Sequence, residues 1–197
     1  MEAFFFGCAA IVFIFFIFNL LRKLHWDAIQ MNLLELADTI GGSVIRKGIL
    51  ARPIYHGRYQ NMDLTINFST DRTGGKRNNY IDISIGMNLD NVYTISSLEW
   101  IRESSAGSVE DFVPLELTTD IEYGIRQNKG KKLFAKSGSA KIKKYLEELD
   151  PFRFLHVSQN GILFEKEGEN LGISTKHPKL KQHIDTLFGL IQTIEGK

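Results

Sequence analysis

The chain holds a single cysteine, Cys8, among its 197 residues. One thiol excludes an intrachain disulfide framework and a thiolate-held metal cluster, and a lack of disulfides suits a reducing compartment. Charge of one sign is also missing. The 24 Lys and Arg face 23 Asp and Glu, which excludes a global polyanion-binding signature. There is no G-x-S-x-G elbow and no H-E-x-x-H pair, and Gly130-Lys131-Lys132 and the stretch from Gly138 to Lys141 lack phosphate-loop spacing. Of the five histidines only His177 and His183 are close, and an i,i+6 separation does not put both on one helix face for a metal. Glu147 and Glu148 are adjacent and point in different directions on a helix. Low-complexity segments and internal repeats are absent, although a helix followed by a hairpin occurs twice. No cofactor, metal or catalytic group is expected from these patterns.

What is present is concentrated at the start. Seven of the fourteen phenylalanines lie within the first eighteen residues. Residues 3–21 (AFFFGCAAIVFIFFIFNLL) carry one polar side chain, Asn19. As a helix they cover about 28 Å, close to the hydrocarbon thickness of a bilayer. A cleaved signal would have a basic start and a small-x-small site; here Glu2 precedes the run and Arg22 and Lys23 follow it. A helix apolar on every side for five turns is also unlike a core helix of a soluble domain. A retained single span is expected, a signal-anchor with Arg22, Lys23 and Trp26 as its flank. The positive-inside rule then puts the following domain in the cytoplasm, with Trp26 at headgroup depth or just beyond.

The expected organisation is an anchor over residues 1–24 and one α+β domain over residues 25–197. Ile29, Leu33, Leu36, Ala37 and Ile40 recur at helical spacing, and Gly41-Gly42 stops that helix. No Pro or Gly divides it from the span, so the two form one rod or bend near residues 25–27. Leu64, Ile66 and Phe68, and then Ile81, Ile83, Ile85 and Met87, alternate with polar residues, the pattern of an antiparallel sheet with one wet face. Asn61-Met62 and Asp90-Asn91 are expected as tight turns, and residues 71–79 (DRTGGKRNN) as a long polar loop. A helix is expected from Ser139 to just before Asp150-Pro151. Strands over 152–158 and 162–166 flank Asn160-Gly161, a favoured hairpin dipeptide. A last helix is expected over 178–194, with Ser174 or Thr175 as its cap. Runs of strands with about three packed helices give α+β rather than alternating βαβ.

The remaining feature is charge segregation. Residues 103–122 contain six acids and no Lys or Arg, whereas Arg126, Lys129, Lys131, Lys132, Lys136, Lys141, Lys143 and Lys144 form a basic block without an acid. This block is a candidate anion or lipid-headgroup site; alternatively the two blocks neutralise each other on adjacent strands. Lys141, Lys143 and Lys144 lie at the start of their helix and Glu147 and Glu148 at its end, against the helix dipole. An anion near residues 137–139 would relieve that conflict. Few aromatics interleave with the lysines, so nucleic acid is not the expected partner. His156 alternates with Phe152 and Phe154 and is expected as a core histidine rather than a base. The reading that follows is a membrane-anchored, non-enzymatic accessory or interaction subunit of a membrane protein complex. Its alternatives are a tethered lipid- or anion-binding module and a tethered enzyme.

Overall fold

A computed structural model describes residues 2–73, 76–89, 92–104, 108–127 and 139–195. The N-terminal apolar run and the amphipathic stretch behind it form one helix, α1 (Glu2–Ile40). At 1.5 Å per residue it is about 58 Å long. The helical assignment runs without a break from the span-like half into the amphipathic half. Large apolar side chains of the first half stand free, with Phe6 76%, Phe15 72% and Phe18 71% exposed, whereas Ile29, Leu33 and Leu36 are fully buried. Gly41, at φ 83°, lets the chain leave the helix, and Tyr55 Oη donates to its carbonyl at 2.5 Å.

Nine strands form one sheet: β1 (Ser43–Ile45), β2 (Ile54–Tyr59), β3 (Met62–Thr73), β4 (Lys76–Gly86), β5 (Tyr93–Ser97), β6 (Val113–Leu115), β7 (Tyr123–Gln127), β8 (Phe154–Ser158) and β9 (Gly161–Glu167). Their order is β1-β2-β3-β4-β9-β8-β5-β7-β6, antiparallel throughout. The expected α+β class with an antiparallel sheet is what the chain adopts. The described residues contain five helices rather than about three: α1, α2 (Leu98–Ser104), α3 (Ser139–Leu149), α4 (Leu171–Ser174) and α5 (His177–Glu195). Two of these, α2 and α4, are too short to show a helical period.

The two faces of the sheet differ. Ile66, Ile83, Phe164, Leu155 and Ile95 lie on one face, under 2% exposed, and form the main core with α1, α3 and α5. The other face carries Asn67, Asp82, Glu165, Phe154 and Ser96 in one cross-strand row and has no long helix over it. Part of it is roofed by α2 and a 3₁₀ turn (Val109–Asp111), whose Leu98, Ile101 and Phe112 make a second, small core. Gly124 permits this roof, because a Cβ there would sit 2.5 Å from Leu98 and 2.8 Å from Phe112.

Several local expectations are corrected. The expected loop 71–79 is mostly strand: β3 and β4 pair as far as Thr73↔Lys76. Polar residues there continue the ladder because backbone pairing, not side-chain apolarity, extends a hairpin with both faces wet. The β2–β3 turn is Gln60-Asn61, not Asn61-Met62, and both residues have positive φ (49° and 66°), as a two-residue turn of matching twist requires. The β8–β9 turn is likewise one residue earlier, since Gly161 pairs with Ser158. Gly161 has φ 136°, and a Cβ on it would be 2.0 Å from the Ile85 carbonyl oxygen. Thr175 does not cap α5; its hydroxyl donates back to Leu171 O at 2.6 Å and accepts from the Asn32 amide. Asp90-Asn91 lie outside the described residues.

The seam between α1 and the domain generates a direct test. Leu33→Ala should cost about 2–5 kcal/mol, the usual penalty for a cavity under a packed helix. Leu34→Ala, on the exposed side at 36%, should change stability by less than about 0.5 kcal/mol. Denaturant titration of the full chain in mild detergent measures both, and equal effects would mean that the seam is not what holds the domain to its helix.

Candidate functional site

Arg153 precedes β8, and its backbone bonds lock it between strands: its N–H donates to Glu165 O (2.8 Å) and its carbonyl accepts from Ser97 N–H (3.1 Å). The side chain crosses the wet face and is 11% exposed. Its guanidinium lies 4.3 Å from the Tyr80 ring and 4.6 Å from the Trp100 ring. Nη1 donates to Glu165 and Nη2 to Asp71, each at 2.8 Å. Trp100, from α2, is stacked in turn on Phe154 at 5.5 Å. One cation thus joins β3, β4, β9 and α2. A partly desolvated cation between two aromatic faces gains from both ring quadrupoles, and removing one partner of such a buried pair costs about 3–5 kcal/mol.

Two carboxylates lie behind Arg153. Asp82 and Glu165 are cross-strand partners, and Ser69 Oγ donates to Asp82 at 2.9 Å and to Glu165 at 3.4 Å. Burial pushes Glu165 up to about 7, against the pull of Arg153 and with the help of Asp82. Asp82 is raised as well, again mainly by burial. Two close carboxyls do not both ionise readily, and both are shifted in the same direction.

Beside this cluster a cleft of about 370 Å³ opens between α2 and the ends of β4 and β9. Its lining carries Glu99, Glu103, Glu167 and Glu169 against Lys76 and Arg153, and Arg153 is already paired with Glu165 and Asp71, so acids are in excess there and the cleft favours cationic groups. Asn78 Oδ1, Trp100 Nε1 and Arg153 Nε are buried without a partner among the described residues, and all three side chains line the cleft. Three of the six such atoms among the described residues thus belong to this wall. Asp82 and Glu165 do not line it; their oxygens face Ser69 and Arg153.

The residues singled out in the sequence are dispersed. Trp26 is 5% exposed, its ring 5.9 Å from Phe68 and beneath the Arg52 guanidinium, so the indole packs against protein. Lys23 pairs with Asp27 at 2.6 Å, and Arg22 is exposed. Of the basic block, Lys129, Lys131, Lys132 and Lys136 lie outside the described residues, as does most of 137–139. Arg126 is on the wet face of β7, its guanidinium 5.1 Å from the Phe112 ring. Lys141 sits 5.9 Å from the Tyr145 ring and Lys144 is 4.0 Å from Glu148; Lys143 is half-buried. These lysines belong to α3, on the opposite side of the sheet from Arg126, so the described members do not form one patch. Among the described residues no ion pair joins the acidic block to the basic one; Glu122 pairs with Arg102 at 3.2 Å. The helix-dipole conflict at Glu147 is met differently. Its carboxylate accepts from Thr118 Oγ1 and N–H (2.6 and 2.9 Å), which lowers its pKa.

The histidines also differ from expectation. His156 is on the wet face rather than in the core, hydrogen-bonded to Thr94 Oγ1 at 2.9 Å. The more deeply buried imidazole is His183, beside Phe164, which burial and the nearby Lys166 and Lys179 push down to about 4. Arg153, Asp82 and Glu165 carried no motif. The one signal was a charge placed between Phe152 and Phe154, which period-2 reading assigns to the wet face.

No family model matches the chain, and no curated protein matches it in sequence. Among solved structures it is similar to the crystal structure of the mycobacterial trehalose monomycolate transport factor A, TtfA, with a TM-score of 0.53 at 10% identity, covering 84% of this chain and 94% of that one. The likeness is one of fold.

Glu165 and His183 make opposite demands on pH. Glu165, raised from 4.5 to about 7, binds more proton in the folded chain, so its contribution is full below 4.5 and fades as pH rises to 7. His183, lowered from 6.5 to about 4, binds more proton when unfolded, so its contribution is full above 6.5 and fades as pH falls to 4. Their slopes oppose across pH 4.5–6.5. In Glu165→Gln, denaturation midpoints should therefore rise more steeply between pH 4.5 and 6.5 than in the parent, and in His183→Gln they should fall. Parallel profiles for all three proteins would show that neither group titrates in the window.

Proposed function

We propose that the protein is a single-pass, membrane-anchored accessory or interaction protein. Its domain stands on the cytoplasmic side and receives a segment of an integral membrane protein complex. The observation that carries the reading is α1: one uninterrupted helix, bare and apolar along its first half and buried in the domain along its second. A helix whose most apolar stretch has a mean hydropathy of 1.9, with none of that stretch buried, is costly to leave in water. Continuity into the core fixes the domain at the bilayer without a flexible linker. Arg22 and Lys23 at the junction support the cytoplasmic orientation, with residues 1–24 as anchor and 25–197 as domain. The acid-rimmed cleft suits a basic or polar segment of the partner, at a surface already beside the membrane. That a protein of the same fold is named a transport factor agrees with an accessory role at a membrane; at 10% identity it says nothing of a substrate here.

Purification of the native full-length protein in mild detergent should bring an integral membrane protein with it. Glu103→Lys combined with Glu167→Lys should reduce that co-purification about tenfold or more, since reversing charge at a complementary contact costs several kcal/mol. Extraction as a monomer without companions would overturn the reading; unaltered recovery with the double variant would remove the cleft from it.

A further inference from the structure

A second charged surface surrounds the point where α1 leaves the domain. Two contacts place α1 against the β2–β3 end of the sheet on its way down from Gly41 to Trp26. Tyr55, paired with Ile66, bonds Gly41, and Trp26 meets Phe68. The β3–β4 ladder then continues five pairs past Phe68↔Ile81, to Thr73↔Lys76, a further reach of about 17 Å. Its end is basic, with Arg72 and Arg77 cross-strand partners and both exposed. Arg52 bridges helix and hairpin: it donates to Phe68 O at 2.6 Å and to Thr70 Oγ1 at 2.9 Å and lies 5.8 Å from the Trp26 ring. Its pKa is lowered by burial and then by the like charges of Arg77 and Arg22, against the opposing pull of Asp82; among the described residues no salt bridge joins any of these three guanidiniums to an acid. On the β1–β2 loop, Arg46 grips Asp27 of α1 at 2.5 Å and bonds the Ile49 carbonyl. That grip holds the loop carrying Ile49, 68% exposed, against α1 at Asp27.

We propose that this collar, with Arg22, Arg52, Arg72 and Arg77 as its cations and Ile49 as its apolar tip, rests on the anionic headgroups of the leaflet from which α1 emerges. The proposal depends on α1 spanning that membrane. Like charges held together near a helix exit are relieved by an anionic surface within a Debye length. An isolated exposed isoleucine beside them has the chemistry of an interfacial anchor. The collar differs from the basic block 126–144, whose described members lie on both sides of the sheet.

The full chain with Cys8→Ser has no other thiol, so Ile49→Cys or Gln159→Cys can carry one environment-sensitive fluorophore. Gln159 is exposed at the far end of the sheet, in the β8–β9 turn, and serves as control. In phosphatidylcholine vesicles containing phosphatidylglycerol, the probe at 49 should shift to the blue and resist a water-soluble quencher, while that at 159 should not. Arg72→Glu with Arg77→Glu should return the 49 signal toward that of 159. A water-like signal at 49, or equal signals in anionic and neutral vesicles, would overturn the collar while α1 still resisted carbonate extraction. Protein extracted by carbonate would overturn the span and the collar together. A probe buried in native membranes yet exposed in anionic vesicles would also overturn the proposal, by assigning the surface to a protein partner.

Discussion

One stripe on one helix holds this molecule together. Ile29, Leu33 and Leu36 are fully buried against the sheet, and the same helix continues into an apolar segment whose described side chains are exposed. Each buried aliphatic contributes roughly 1.5–3 kcal/mol, and helical hydrogen bonding transmits the position of that stripe to the apolar half without a joint. The sheet's two-sidedness follows from the same packing: α1 and α5 occupy one face, so the other face is left to polar residues and the short α2.

On that wet face a single guanidinium does what an apolar core does elsewhere. Arg153 replaces hydration with two aromatic faces and two carboxylates. The desolvation cost of such a charge is met only while all partners stay in place. The arrangement therefore specifies geometry more than it adds stability, fixing α2 relative to β3, β4 and β9. The cleft exists because of it, since Trp100 and Arg153 form one wall.

The elements legible in the sequence are those whose physics is local. The helical spacing of Leu33 and Leu36, the alternation of Ile81, Ile83 and Ile85, and the stop at Asp150-Pro151 are properties of neighbouring residues, and each fixed an element. The hairpin over 71–79 was not legible, because a two-stranded extension wet on both sides has no hydrophobic period. Strands β6 and β7 and helix α2 are too short for a period to develop. Arg153, Asp82 and Glu165 are distant in sequence and become neighbours only through register, which no local pattern encodes. His156 was misplaced by one face for the same reason: Phe152 lies in the main core, but the chain turns at Arg153 before β8 begins, which breaks the alternation that would have carried burial to residue 156.

Charge shows the same dependence on register. A net charge of +1 excludes a global polyanion-binding signature, and the contiguous blocks left two expectations, an anion site over 126–144 or mutual neutralisation with 103–122. Folding separates charge differently. Glu103 leaves its block to join Glu99, Glu167 and Glu169 at the cleft, while Glu122 and Glu147 find partners elsewhere. The cations beside α1 come from four separate segments: the helix, the β1–β2 loop, β3 and β4. Lys76 belongs to both regions, lining the cleft and ending the hairpin. The negative and positive surfaces are thus adjacent rather than opposed. An anionic bilayer would attract the collar and repel the cleft rim, leaving the cleft turned along the membrane plane, toward whatever stands beside the helix.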